Sequence, residues 1–169
     1  YYGGGGQGNH LGGSYSGANG QITGNGALAV AMSSSFAQDG GTTTAKQISI
    51  DAGALSNRGG QIIQTGPNAT RITVVGGVDN TAGTIASNGN TTIAAGSLTN
   101  QGGTVRAAET SSLGLSVGGA LDNSNKGVIG AGGSTTVTAG GLNNNAGSLT
   151  AVGDLGATVG GAATNVGGT

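Results

Sequence analysis

Apolar and polar residues alternate along most of this chain, in short runs. Leu98-x-Asn100, Val105-x-Ala107 and Leu113-x-Leu115-x-Val117 are typical. A period of two predicts strands that turn one face inward. Helix support is missing, because Gly, Thr, Asn and Ser dominate and good helix formers are scarce.

The runs recur. GALSNRGGQI from Gly53 returns as GGVDNTAGTI from Gly76, GSLTNQGGTV from Gly96, GALDNSNKGVI from Gly119, GGLNNNAGSL from Gly140 and a shortened GAATNVGG from Gly161. The shared form is G-x-L-x-N-x-x-G-x-I. Upstream, Phe36, Gln38 and Gly41 stand in for the Leu, Asn and second Gly, and Tyr15 and Gly20 do so one copy earlier. The apolar anchor therefore falls at Tyr15, Phe36, Leu55, Val78, Leu98, Leu121, Leu142 and Ala163, at intervals of 19 to 23 residues. Repeats of that length built from short strands and Gly-bearing corners predict an all-β fold: a parallel β-helix of about eight coils, about 21 residues each. Right-handed winding is the default for parallel crossovers. Successive coils at about 4.8 Å make a rod of roughly 35–40 Å. Residues 1–14 read as a Gly-rich lead-in, poorly ordered or loosely docked. The array then covers 15–169, degenerate over 15–52 and regular over 53–169.

Stacking explains an unusual composition. Forty of 169 residues are Gly, 7% are charged, the formal net charge is −1, and Cys and Trp are absent. A position that lies above itself in every coil would put like charges face to face, so neutral Thr, Ser and Asn serve better. Asn57, Asn80, Asn100, Asn123, Asn144 and Asn165 are expected to form an amide ladder, beside an apolar stack of Leu55, Val78, Leu98, Leu121 and Leu142. The longest intervals hold Thr65–Asn68, with the only Pro, and Ala108–Ser112, with the only Glu. Both should bulge from a corner, since Pro within a ladder removes a hydrogen bond. Pro67, Asn68 and Glu109 are thus the candidate corner contacts.

Other chemistry finds little footing. Five scattered cations make no field for nucleic acid. No apolar run is long enough to span a membrane. No cofactor motif appears, and the Gly runs lack the Lys-Ser or Lys-Thr of a phosphate loop. His10 has no ligand partner at metal-site spacing. The acids lack the periodicity of a calcium-binding β-roll, and the Thr pairs are too interrupted for an ice-binding array. Asp79 and Asp122 share one repeat position two coils apart, roughly 9–10 Å by strand spacing, which superficially suits a glycosidase pair. A solvated turn position is the simpler reading, and the chain is read as no enzyme. Asn68 and Asn90 begin N-glycosylation sequons.

The copies GALSNRGGQI, GSLTNQGGTVRA and GGLNNNAGSLTA resemble the haemagglutinin repeats of filamentous-haemagglutinin-like proteins, the exported partners of bacterial two-partner secretion systems. The resemblance covers Gly53 to Thr169 well and Tyr15 to Gly41 weakly. It implies a β-helical shaft of a surface adhesin or contact-dependent inhibition toxin, secreted or displayed on a Gram-negative cell and exported by an outer-membrane transporter. It transfers no catalytic residue. The other reading is a binding module that grips a host glycan or a receptor on a host or neighbouring cell through its corners, or a fibre subunit. An uncapped array is also expected to associate end to end.

Overall fold

The structure is a computed structural model that describes residues 2–3, 7–11 and 13–169, the first two stretches as backbone only. All its regular elements are strands. The first coil holds β1 (Tyr2–Gly3), β2 (Gln7–Leu11) and β3 (Tyr15–Ser16). Each later coil has a short strand and then a long one. These are β4 (Gln21–Gly24) with β5 (Ala27–Ala37), β6 (Thr42–Ala45) with β7 (Gln47–Ser56), and β8 (Gln61–Gln64) with β9 (Thr70–Asp79). Then come β10 (Thr84–Ser87) with β11 (Thr91–Thr99), β12 (Thr104–Ala107) with β13 (Leu113–Asp122), and β14 (Val128–Ala131) with β15 (Thr135–Asn143). The last coil holds β16 (Ser148–Ala151), β17 (Leu155–Val159) and β18 (Ala163–Thr164).

Every pairing between these strands is parallel. One sheet runs β1-β4-β6-β8-β10-β12-β14-β16, and the other runs β2-β5-β7-β9-β11-β13-β15-β17, with β3 and β18 beside β5 and β15. The chain is a β-solenoid: eight strands stack in each main ladder, seven coil steps from end to end. Pairing extends further toward the N-terminus than the repeat motif does, because β1 pairs with β4 and β2 with β5. Residues 1, 4–6 and 12 of the 1–14 lead-in lie outside the described residues, whereas Gly13 is bonded to the next coil through Ser33 Oγ and the Ser34 N–H.

Columns of mostly aliphatic side chains fill the interior. The anchor residues register one above another from Tyr15 through Phe36, Leu55, Val78, Leu98, Leu121 and Leu142 to Ala163. A second column runs Val30, Ile50, Ile72, Ile93, Leu115, Val137. A third, from the opposite sheet, runs Ile22, Thr43, Ile62, Ile85, Val105, Ile129, Leu149. Ile72, Ile93, Leu98, Val105, Ile129 and Val137 are 0% exposed. Each such side chain contributes about 1.5–3 kcal/mol by leaving water. A column of aliphatics packs at coil spacing, whereas large aromatics at every level would not, and Tyr15 and Phe36 stack only near the N-terminal end, centroids 5.2 Å apart.

Coil length varies at one corner above all. It is a single residue, Lys46, between β6 and β7, but five residues, 65–69 and 108–112, after β8 and β12. The opposite corner, after the ladder Asn, is nearly constant and uses one residue with positive φ, or two (Asn125 and Lys126) where the copy after Asn123 is one residue longer. Gly59 and Gly102 take it at +61°, and Ala82 and Ala146 take it at +53° and +54°. Left-handed backbone costs a residue with a Cβ about 1–2 kcal/mol, and Gly gives back part of that gain through its freer unfolded state. Ala82→Gly is therefore expected to stabilise the chain by about 0.5–1 kcal/mol, seen as a higher urea midpoint at unchanged slope. An unchanged or lower midpoint would show that the corner carries no strain.

Candidate functional site

The constant corner is built around the asparagines. The backbone N–H of Asn57, Asn80, Asn100 and Asn123 each donates across the coil step, for example Asn57 to the Asp79 carbonyl at 2.8 Å. The side chain then turns inward, and Asn57, Asn80 and Asn100 are 0% exposed. Each Nδ2 donates to the next Oδ1: Asn57 to Asn80, Asn80 to Asn100 and Asn100 to Asn123 at 2.7 Å, Asn123 to Asn144 at 2.8 Å, and Asn144 to Asn165 at 2.7 Å. Gln38 begins the ladder, donating Nε2 to Asn57 Oδ1 at 2.6 Å. The same Nδ2 groups also reach a backbone carbonyl of the next coil, as Asn100 does to Val128 at 3.1 Å. Six positions named from the repeat are thus one continuous side-chain chain. Among the described residues, no buried side-chain polar atom lacks a partner.

The motif's second Gly belongs to the same structure. A Cβ on Gly83, Gly103, Gly127 or Gly147 would overlap the backbone carbonyl of the previous coil's Asn57, Asn80, Asn100 or Asn123. It would also meet its own coil's amide oxygen, at 2.6 Å for Gly103 and Asn100. The Gly is there so that coils approach closely enough for amides to bond.

A second inward polar group went unread in the sequence. Gln64, Thr70, Ser87 and Thr91 are 1–3% exposed beneath the variable corner. Thr70 Oγ1 donates to Gln64 Oε1 at 2.5 Å and meets Ser87 Oγ at 2.7 Å. Gln64 Oε1 accepts the Ile48 N–H at 2.8 Å. The signal was present: polar residues occupy inward positions of the period-two pattern, just where a corner of changing length leaves backbone groups to satisfy.

The long corners do protrude. Pro67 and Asn68 are exposed between β8 and β9, and Glu109 is exposed at φ +50° between β12 and β13. The structure does not bring them together, because the corner carrying Asn88 lies between. That corner is bonded on both sides: Asn88 Nδ2 donates to the Thr65 carbonyl at 3.0 Å, and Ser111 Oγ donates to the Asn88 carbonyl at 3.2 Å. Below it, two shallow hollows of about 330 and 260 Å³ flank exposed Arg106, floored by Ile63 and Ala86 on one side and Val128 and Gly130 on the other. In the sequons, Asn68 is exposed but Thr70 is buried, and Asn90 Oδ1 accepts the Ser112 N–H at 2.9 Å.

The carboxylates serve their own turns. Asp79 and Asp122 register on either side of Thr99, two coil steps apart. Asp79 Oδ1 accepts from the Thr81 N–H at 3.0 Å and the Thr81 hydroxyl at 2.6 Å, and its Oδ2 lies 3.7 Å from Arg58 Nε. Asp122 accepts from the Ser124 N–H at 3.0 Å and from Gln101 Nε2 at 2.6 Å. Burial raises the Asp122 pKa, but the hydrogen bonds from Ser124 and Gln101 outweigh it and hold the group below 3.8. That direction is opposite to what a general acid needs. His10 lies on β2, and its side chain is outside the described residues. Among the described residues, no three of His, Cys, Asp and Glu converge as a metal site would require.

A lowered folded pKa means that ionised Asp122 stabilises the fold above the unfolded value, and that this contribution is lost as pH falls through the folded one. Asp122→Asn is expected to melt below the parent chain where Asp122 is ionised, and the gap is expected to close as pH falls through the lowered folded pKa. Thermal unfolding followed by circular dichroism checks this, and a gap independent of pH would contradict it.

Three overlapping stretches, residues 3–67, 63–125 and 104–169, match the family model of the haemagglutinin repeat. No curated protein and no solved structure matches the chain.

Proposed function

Because the chain belongs to the haemagglutinin repeat family, we propose that it is a structural shaft segment of a secreted bacterial surface protein, an adhesin or a toxin-delivery stalk. Proteins of this family are typically secreted surface proteins. The observation that carries the reading is continuity: the amide ladder runs unbroken from Gln38 to Asn165, and the apolar columns run beside it through the same coils. Such a column resists bending at any one coil, because every level is tied to two neighbours by backbone, amide and apolar contacts.

Export fits the same geometry. Each coil pairs only with its neighbours, so folding can start at one end and propagate, as in other solenoids. A chain without Cys and with few charges, passing unfolded through an outer-membrane transporter of a Gram-negative cell, would then wind up outside coil by coil.

Insertions in the displayed parent protein test the proposal. Each in-frame duplication of residues 78–97 adds one coil, so ten should move an epitope beyond the shaft outward by about 48 Å in electron micrographs of the cell surface. An epitope that stays at its original height would refute the shaft. Saturable binding of the isolated chain to cell-surface extracts, lost when Pro67, Asn68 and Glu109 are replaced, would instead favour a binding module.

A further inference from the structure

The sheet of short strands carries almost no charge. Across β4, β6, β8, β10, β12, β14 and β16, Arg106 is the only charged residue. Its outward column runs Ile63, Ala86, Arg106, Gly130, so the guanidinium has a small neighbour on either side. Repulsion between stacked like charges explains a neutral column, but it does not explain a single cation within one. Arg106 is exposed and makes no ion pair or hydrogen bond with the described residues, where the ion pair joins Arg58 to Asp79.

The hollow of about 330 Å³ beside it has the parts of a small ligand site. Such sites begin at roughly 300 Å³. Ile63 and Ala86, both half-buried, give it an apolar floor, and Arg106 closes one side. Thr65, Asn88 and Ala108 line the rim, where three successive corners begin. The corners at Thr65 and Ala108 run to five residues and the one at Asn88 to three, so the rim is a notch with Asn88 at its base. Asn88 commits Nδ2 to the Thr65 carbonyl at 3.0 Å, which leaves its Oδ1 to accept from a ligand. The strands beneath, β8, β10 and β12, are each paired on both sides, so the site is complete within interior coils.

We propose that this hollow binds a hexuronate residue of an acidic polysaccharide. The carboxylate would pair with Arg106, whose planar fork matches it with two parallel N–H bonds. The C–H face of the sugar ring would lie on Ile63 and Ala86, and a ring hydroxyl would donate to Asn88 Oδ1. The second hollow, of about 260 Å³ on the far side of Arg106, gives the next sugar of the polymer a place over Val128 and Gly130. A peptide fits less well. Extended peptides gain affinity by adding to a sheet edge, and none is present at β8, β10 or β12. An acidic side chain alone would use the cation and leave the floor and the acceptor idle. The inference is independent of the shaft reading, because a rod can carry a sugar on its flank whatever it supports.

Titration of the 169-residue chain with trigalacturonate tests it, followed by the nuclear magnetic resonance signals of Arg106 Nε and the Asn88 side-chain amide. Saturable shifts are expected at about millimolar sugar. The fully methyl-esterified trimer keeps the ring faces and loses the charge, and it should bind at least about tenfold more weakly. Arg106→Gln should weaken binding of the acid by a similar factor. Arg71→Gln, which removes an exposed cation from the other sheet, should leave it unchanged. Circular dichroism checks that both variants keep the β structure. An ester that binds as well as the acid, acetate that binds as tightly as the trimer, equal losses in the two variants, or no saturable shift below about 50 mM would each overturn the proposal.

Discussion

Asn100→Ala is expected to lower the stability of the chain by about 3–5 kcal/mol, a large part of the 5–15 kcal/mol that holds a typical domain together. The side chain is 0% exposed and sits mid-ladder. Its removal strands the Asn123 Oδ1 acceptor and withdraws bonds from the Gly103 and Val128 carbonyls. It also takes the side-chain acceptor from Asn80 Nδ2, which keeps only its bonds to the Gly83 and Thr104 carbonyls. Each buried group left without a partner costs about 1–3 kcal/mol. Asn165→Ala is the internal control. That residue is exposed and accepts only the last rung, so its loss should cost less than about 1 kcal/mol. Urea denaturation of both variants measures the contrast, and equal losses would mean that the amides decorate the fold without supporting it.

Gly103→Val is the second large effect. Its Cβ would overlap the Asn80 carbonyl and come within 2.6 Å of Asn100 Oδ1 and 3.1 Å of Asn80 Nδ2. Relief requires the two coils to separate, which stretches backbone and amide bonds together. A loss of about 3 kcal/mol or more is expected, at the upper end of what overpacking does. Gly156→Ala makes the comparison fair, because a Cβ there meets nothing within 4 Å. It should be close to neutral by the same thermal melt. If both substitutions are tolerated, close coil approach is not what the motif Gly provides.

Much of this arrangement was legible before any coordinates, for a physical reason. In a stacked coil each structural role recurs at the same repeat position, so sequence phase reports spatial register directly. Phase alone aligned Phe36 with the motif Leu and Gln38 with the motif Asn, although neither matches the motif. The structure stacks Phe36 on Leu55 and extends the Asn ladder to Gln38. The Gln64, Thr70 and Ser87 cluster was not legible in the same way. It sits under the corner whose length changes from coil to coil, so its partners do not repeat at a fixed spacing. The pairing of Gln7–Leu11 with β5 was hidden for a related reason, because QGNHL carries neither the apolar alternation nor the motif. Backbone hydrogen bonds do not need a pattern in the side chains.

The central claim is that the coils are equivalent layers, each resting on the last. Excision of residues 78–97 tests it most directly. It joins Gly77 to Leu98 and brings Leu98 and Asn100 onto the coil that carried Leu55 and Asn57. The shortened chain should fold to the same far-UV spectrum and melt cooperatively within a few degrees of the parent, while excision of residues 88–97, half a coil, should leave it unfolded. If both excisions unfold the chain, or both are tolerated, the stack of equivalent coils is contradicted.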